Sequence, residues 1–217
     1  TNIGENAFSG CYSLENISIP EGVTSIGEFA FSGCSSLKSI NIPESVTSIG
    51  ASTFYGCSSL EPKLLVYDKG TKCYGWVGNK EKCTNVVIPD GVTSIGYAAF
   101  RGCGSLTSIK IPEGVTSIGN SAFRSCDNLT NVNIPEGVTS IGEDVFSGCH
   151  SLENISIPEG VTSIEKFAFR GCGSLTGIDI PESLTSIGVA AFEGCRSLTS
   201  IDIPESLTSI GEDAFGD

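Results

Sequence analysis

The chain has 217 residues, of which 39% are hydrophobic and 17% are charged. This composition is too apolar for a disordered tail, and no apolar run approaches the roughly 18 residues that a membrane helix needs. The formal net charge of −13 argues against a nucleic-acid partner, because phosphate binding requires clustered Lys and Arg side chains. We therefore expect a folded chain with no nucleic-acid partner and no membrane insertion in this segment.

Prolines recur along the chain at a fixed spacing. Six of the seven intervals between eight of them are 23 residues, and the remaining interval is twice 23. These residues are Pro20, Pro43, Pro89, Pro112, Pro135, Pro158, Pro181 and Pro204. A fixed period of this length is typical of a solenoid, in which one supersecondary unit stacks on the next. The sequence predicts a single solenoid over residues 1–217, made of about nine units of 23 residues.

The repeated unit reads L-x-x-I-x-I-P-E-G-V-T-S-I-G-x-x-A-F-x-G-C-x-S, as in the copy that begins at Leu14. The Ile-x-Ile pair has the two-residue period of a strand, and Pro-Glu-Gly fits a type I turn after it. Val-Thr-Ser-Ile-Gly is typical of a second short extended segment. The apolar spacings of three and four in A-F-x-G-C predict one helical or 3-10 turn.

Because no unit can bury its apolar side chains alone, stacked units should share one core with columns of like residues. Eight cysteines form such a column: Cys11, Cys34, Cys57, Cys103, Cys126, Cys149, Cys172 and Cys195. Side chains in one column share an orientation, whereas a disulfide needs two side chains that converge. We therefore expect buried, unpaired thiols that act as small apolar residues.

The repeated string resembles the BspA-like leucine-rich repeats, also called the Treponema pallidum type, over nearly the whole chain. The resemblance implies a curved, right-handed leucine-rich-repeat solenoid, mostly β with short helical or 3-10 turns. Its Ile-x-Ile strands would form a parallel β-sheet on the concave side. The resemblance also implies a surface-exposed or secreted protein of a host-associated microbe that acts in adhesion and recognition. The family has no catalytic motif to transfer.

Residues 61–83 fill one repeat length but do not follow the unit. By register, Lys69, Lys72 and Lys80 would occupy core positions, and burying three unpaired ammonium groups is prohibitively unfavourable. Two β-prone runs, residues 64–67 and 72–77, flank a turn that contains a glycine. This pattern predicts a β-hairpin in a degenerate repeat.

The degenerate repeat also differs in composition, since it holds five of the twelve basic residues and the only tryptophan. Aromatic and cationic side chains are enriched in recognition surfaces, so Lys63, Tyr74 and Trp76 are candidate ligand-binding residues. The alternative is a structural interruption in which Tyr74 and Trp76 cover the core. Cys73 and Cys83 are the two cysteines outside the column, and both a disulfide between them and two free thiols stay open.

A second set of candidate ligand-binding residues flanks the strand isoleucines. These are Ser39, Asn41, Asn85, Lys110, Asn131 and Asn133. The positions are small and mostly polar, without the Trp, Tyr or Arg anchors that dominate tight interfaces. They favour weak, multivalent binding.

An acidic residue follows every regularly spaced proline, at Glu21, Glu44, Asp90, Glu113, Glu136, Glu159, Glu182 and Glu205. A calcium site needs six to eight oxygens, and one carboxylate per repeat supplies too few. We therefore expect a solvated acidic face and no metal site.

His150, the single histidine, follows Cys149. A catalytic dyad would need an exposed thiolate, and Cys149 belongs to the column that we expect to be buried. The sequence predicts no catalytic residue and no cofactor.

The repeat register indicates that both ends fall within a unit. Thr1 aligns with Thr24, and the chain stops just after Phe215. We expect an excised fragment, and the sequence does not indicate an oligomeric state.

These patterns predict a noncatalytic recognition module, a fragment of a microbial cell-surface or secreted adhesin. Its ligand would be a protein or matrix component, with a glycan left open. The alternative is a structural spacer with no ligand of its own. Extracellular or cell-surface localisation follows from the resemblance alone.

Overall fold

Two extended segments of each repeat pair with the same segments of neighbouring coils. The computed structural model describes residues 1–217 and forms a parallel-strand solenoid of about nine turns with almost no helix. Its strands are β1 Asn2–Ile3, β2 Ser25–Ile26, β3 Ser48–Ile49, β4 Lys63–Tyr67, β5 Lys72–Val77, β6 Asn85–Val87, β7 Ser94–Ile95, β8 Ser108–Lys110, β9 Ser117–Ile118, β10 Ser140–Ile141, β11 Asn154–Ser156, β12 Ser163–Ile164, β13 Gly177–Asp179, β14 Ser186–Ile187 and β15 Ser209–Ile210. The single helix is the 3-10 turn Lys80–Lys82.

The Ser-Ile segments form the longer ladders of the solenoid. Together with strands β4 and β5, they build sheets of order β1-β2-β3, β4-β5-β7-β9 and β10-β12-β14-β15, in which all neighbours are parallel except β4 and β5. The Ile-x-Ile segments pair in the two-stranded parallel sheets β6-β8 and β11-β13. Ser25 pairs with Ser48, and Asn85 pairs with Ser108, so the register step between regular coils equals one 23-residue unit. The predicted leucine-rich-repeat solenoid is confirmed.

The A-F-x-G-C segment is not helical, so the prediction of a helical or 3-10 turn there is wrong. Alternate N–H groups donate to the next coil: Phe29 to Ala51 at 3.1 Å, Phe31 to Thr53 at 3.0 Å and Gly33 to Tyr55 at 2.7 Å. The N–H groups between them bond three residues back, as Ser32 does to Phe29 at 2.9 Å. Left-handed φ angles of 51° at Phe29 and 73° at Gly33 turn the chain so that both sets are satisfied. This third ladder, here called the turn ladder, replaces the helix.

The core is built from columns of identical side chains. Phenylalanine rings of successive coils stack nearly parallel with centroids 5.2–5.7 Å apart, in one run from Phe8 to Phe54 and another from Phe100 to Phe215. Six column thiols, such as Cys126 to Phe100, donate to a phenylalanine carbonyl at 3.2 Å. Seven of the eight column cysteines are buried, and Cys11 in the first coil is exposed. The expectation of burial is therefore wrong for Cys11.

The core divides at the degenerate repeat. One cluster of 14 buried residues runs from Ile19 to Val77, and a second of 40 runs from Cys73 to Ala214. Between them, β4 and β5 pair antiparallel as a hairpin, and β5 continues in parallel into β7. No helix in the structure has the length and hydrophobicity for crossing a membrane.

Candidate functional site

The hairpin acts as a partition between the two core clusters, because its side chains point alternately to each. Leu65 and Val77 belong to the smaller cluster, and Cys73 belongs to the larger one. Tyr74 packs against the smaller cluster and Trp76 against the larger one. Both aromatic residues are half-buried. The structure therefore supports the core-covering role that was the alternative for these two residues.

A bulge sets the position of Tyr74. Leu65 pairs with Gly75 and Val66 pairs with Cys73, so Tyr74 is the extra residue on β5. Gly75 has a φ of 117°, and a Cβ at this position would collide with the carbonyl oxygen of Ala99. Glycine therefore lets the hairpin approach the next coil closely enough for the Trp76 N–H to donate to Ala99 O at 2.8 Å.

The hairpin interrupts the turn ladder on the side of the preceding coil. Ser52, Phe54 and Gly56 are the residues whose N–H groups would donate to a regular next coil. Phe54 N–H instead donates to the Tyr74 hydroxyl at 3.3 Å, whereas the equivalent bond at Phe31 is 3.0 Å. Ser52 N–H and Gly56 N–H have no hydrogen-bond partner within the protein.

The turn-ladder carbonyls of the coil that follows the hairpin are only partly hydrogen-bonded. Its turn-ladder carbonyls belong to Tyr97, Ala99 and Arg101. The Trp76 N–H reaches Ala99 O, and the Lys80 ammonium reaches Arg101 O. Tyr97 O accepts no hydrogen bond.

An open cavity of about 610 Å³ lies where the turn segment is missing. We call it the break cleft. Its volume falls within the range of small-ligand sites, about 300–1,000 Å³. Tyr55 on one wall is 72% exposed and Tyr97 on the other is 49% exposed, while Tyr74 and Trp76 line the space between them. The cleft therefore gathers five aromatic residues, because the buried Phe54 lines it as well.

The charge of the break cleft is opposite to that of the protein. Lys80 and Arg101 are among its lining residues, which include no Asp or Glu, although the chain carries 25 acids and 12 bases. The Arg101 guanidinium is exposed and forms no ion pair. The low screening inside a cleft strengthens its attraction for an anionic group.

The lysines of the degenerate repeat avoid the core, as expected from the cost of burial. Lys72 forms a 2.9 Å ion pair with Asp68, and its ammonium donates to Thr47 O at 2.9 Å. Lys63 donates to Ile40 O at 3.3 Å and lies outside the break cleft. Of the three candidate residues in this repeat, the structure brings Tyr74 and Trp76 together and places Lys63 apart.

The strand-face candidates lie on a different surface. All six are exposed on or beside the Ile-x-Ile strands, and none lines the break cleft: Ser39, Asn41, Asn85, Lys110, Asn131 and Asn133. Asn85 is engaged within this face, because its Oδ1 accepts from Ser108 Oγ at 2.7 Å. The structure therefore gives two separate candidate surfaces.

Sequence reasoning missed Tyr55, Tyr97 and Arg101. Each occupies a variable position of an otherwise regular unit, so none violates the repeat. One signal was present: four of the five tyrosines fall between residues 55 and 97, around the degenerate repeat.

The single histidine has no thiolate partner. The Cys149 thiol donates to Phe123 O at 3.2 Å, and burial raises its pKa to about 12. His150 is exposed, with Nδ1 2.9 Å from Gly171 O. Cys149 is therefore protonated at neutral pH and directed into the core, away from the role of a nucleophile.

Cys73 and Cys83 are both free, buried thiols in this structure. Cys73 pairs with Ile95 through β5 and β7. The neighbouring Cys103 thiol, together with burial, raises the pKa of Cys83.

The eight acidic residues after the prolines are all exposed, as expected for a solvated face. Each stands alone on its coil, and no group of three metal-ligating side chains converges in the structure.

Comparison with known proteins places the chain in a family. The model of the BspA type leucine rich repeat region matches in six copies over residues 1–65, 77–172 and 116–217. The chain therefore belongs to the BspA-type leucine-rich repeat family, a fold that typically serves as a non-enzymatic scaffold. The unmatched residues 66–76 lie within the hairpin.

Solved structures of similar proteins come from several bacteria. A leucine rich cell surface protein from Faecalibacterium prausnitzii A2-165 is 33% identical, with a TM-score of 0.70 over 98% of this chain and 57% of that one. A leucine-rich repeat protein from Bacteroides ovatus ATCC 8483 is 36% identical, with a TM-score of 0.61 over 97% and 48% of the two chains. The T. pallidum leucine rich repeat protein is 31% identical, with a TM-score of 0.54 over 86% and 76%.

The chain spans about half the length of the first two relatives, 57% and 48%. A search of curated protein sequences finds no match to this chain.

Proposed function

We propose that this protein is a noncatalytic recognition module of a microbial surface protein, and that its ligand site is the break cleft. The observation that carries the proposal is a coil-sized gap in a regular ladder, lined by five aromatic residues and two cations. Recognition sites concentrate their binding energy in such aromatic and arginine side chains. The F. prausnitzii relative is named a cell surface protein, which supports a surface location here.

The regular coils lack the features of a ligand site, which supports the assignment of that site to the break cleft. Their exposed strand positions are mostly small and polar, and their column phenylalanines stack inside the core, with Tyr12 and Phe29 exposed singly. A ligand that binds tightly needs a concave site with anchors, and the break cleft combines both features. The strand face would add weak contacts to a large ligand rather than bind it alone.

The test is a binding screen with the full chain immobilised on a surface. The probes are purified extracellular-matrix proteins and a glycan array. The cleft variant is Tyr55→Ala with Tyr97→Ala, and the control is Tyr12→Ala, since Tyr12 is 68% exposed and lies outside the cleft. We expect saturable binding that the cleft variant loses and the control keeps.

Other outcomes would contradict the proposal in different ways. Binding that survives in the cleft variant but is lost with Asn131→Ala and Asn133→Ala would move the site to the strand face. If no probe binds, the protein is better explained as a structural spacer.

A further inference from the structure

We propose that the break cleft takes an acidic polypeptide segment, whose backbone carbonyls complete the turn ladder along the open edge of the preceding coil. This inference rests on the proposed function and specifies the class of its ligand. It is carried by the unpaired backbone groups at the interruption and by the charge of the lining.

The open edge presents the donors of the turn ladder without their acceptors. In regular coils, three alternate N–H groups, such as those of Phe29, Phe31 and Gly33, each meet a carbonyl of the next coil. At the interruption the equivalent donors are Ser52, Phe54 and Gly56, and the first and last are free. A peptide that adds to an open edge gains affinity from main-chain hydrogen bonds of this kind. Because the edge is a turn, with left-handed φ angles at its first and last donors, the bound peptide should follow the turn of a regular coil rather than an extended strand.

The middle donor, Phe54 N–H, has a weaker acceptor than a backbone carbonyl of the next coil. The bond from Phe54 N–H to the Tyr74 hydroxyl is 3.3 Å, against 2.7–3.0 Å for the phenylalanine N–H groups of the intact ladder. A hydroxyl on a side chain can rotate away, whereas a carbonyl of a packed coil cannot. A peptide carbonyl can therefore complete the set by replacing the Tyr74 hydroxyl at Phe54.

The lining selects the side chains of that peptide. Arg101 and Lys80 favour carboxylates, and no acidic residue of the lining opposes them. Tyr55 and Tyr97 offer apolar faces on opposite walls. A segment that combines acidic with apolar or aromatic residues therefore fits this arrangement.

A glycan is the less favoured ligand. Aromatic walls suit sugar rings, but sugars do not supply a row of backbone carbonyl oxygens to Ser52 and Gly56. The net charge of −13 would attract positively charged peptides to the protein as a whole. The cationic lining of the break cleft repels them, so basic segments are disfavoured there.

A phage-displayed library of random nonapeptides is selected for binding to the immobilised full chain. The enriched sequences are then synthesised as peptides. We expect enrichment of sequences that combine Asp and Glu with apolar or aromatic residues. Arg101→Glu should weaken the enriched peptides about tenfold or more. Arg196→Glu is the matched control, since Arg196 is exposed, forms no ion pair and lies outside the cleft, and it should change affinity less than about twofold.

Amide hydrogen exchange then tests the backbone pairing itself. The Ser52 and Gly56 amides, which are free in the unliganded protein, should become protected when an enriched peptide binds. Peptides that bind without protecting these amides would overturn the pairing with the turn ladder. A library that enriches basic or neutral sequences, or none, would overturn the acidic peptide.

The two proposals fail separately. If a matrix protein or glycan binds through Tyr55 and Tyr97 while no acidic peptide is enriched, the recognition site stands and the peptide class is wrong. If enriched peptides bind equally well to the Tyr55→Ala and Tyr97→Ala variant, both proposals are wrong.

Discussion

The Tyr74 hydroxyl accepts the hydrogen bond that Phe54 N–H would otherwise give to the next coil, and the Tyr74 ring stands at 74° to the Phe54 ring with centroids 5.4 Å apart. Elsewhere in the column each phenylalanine meets another that lies parallel to it. Tyr74 therefore ends one stack while satisfying one backbone donor, and the rest of the gap remains open as the break cleft.

Removing that hydroxyl should destabilise the protein. Tyr74→Phe keeps the ring but leaves Phe54 N–H without an acceptor, which costs about 1 kcal/mol for a partly buried group. Urea denaturation should show this loss in the free energy of unfolding. Tyr12→Phe is the control and should change it by less than about 0.5 kcal/mol, because that side chain is exposed. Equal effects of the two substitutions would mean that the Tyr74 bond contributes nothing.

Gly75 should not tolerate a side chain. Gly75→Ala adds both the strain of a φ of 117° and a collision with Ala99 O, and we expect a loss above about 2 kcal/mol. Gly70→Ala is a matched control, because Gly70 also has a positive φ of 83° but has nothing within 4 Å of its Cβ position. It should lose only about 1 kcal/mol. Thermal unfolding of the two variants measures the difference, and a Gly70→Ala variant as unstable as Gly75→Ala would contradict the close approach.

Thiol reactivity should separate one cysteine from the other nine. Cys11 is the exposed cysteine, so a thiol reagent such as DTNB should modify about one thiol per chain before unfolding and all ten in denaturant without reductant. Cys11→Ser should remove the fast reaction. A total of eight in denaturant would instead indicate a disulfide, with Cys73 and Cys83 as the first pair to examine.

Alkaline pH should unfold the protein progressively. Burial raises the pKa of Cys57 to about 11 and those of Cys73 and Cys149 to about 12, from an ordinary value of 9.0. Between these values the unfolded chain loses protons that the folded chain retains, so stability is full below pH 9 and falls as pH rises toward 12. The slope is about 1.4 kcal/mol per pH unit for each such thiol. Denaturation series from pH 8 to pH 11 should show it, and Cys149→Ser should flatten the curve.

The solenoid should open first on the N-terminal side of the hairpin. Residues 1–60 join the hairpin mainly through side chains, including the bonds of Lys63, Lys72 and Tyr74, and their core cluster is the smaller one. The hairpin joins the following coils by backbone pairing of β5 with β7. Hydrogen exchange should therefore be faster for the amides of Phe29 and Phe31 than for those of Phe146 and Phe169. Equal protection of these amides would show that the coils before and after the hairpin have the same local stability.

Particular residues show how far the sequence predicts the fold. The 23-residue spacing of the prolines indicates the solenoid, because stacked coils must repeat their inward side chains. The lysines at core positions indicate where the regular coil fails. The helical turn at A-F-x-G-C was predicted from apolar spacing alone, and it is wrong because N–H groups such as that of Phe31 have acceptors on the next coil, which no single unit reveals.

The sequence by itself determined the repeat, the columns of phenylalanine and cysteine, and the position of the interruption, since each follows from periodicity and from the cost of burying charge. Only the tertiary structure decided what the interruption creates. Tyr55 and Arg101 lie 46 positions apart and meet across a gap whose width depends on the bulge at Tyr74 and on the Gly75 contact with Ala99. Such a cleft forms where backbone groups of one coil have no hydrogen-bond partners on the next coil. The residue pattern within a single coil does not show which of these groups are unpaired.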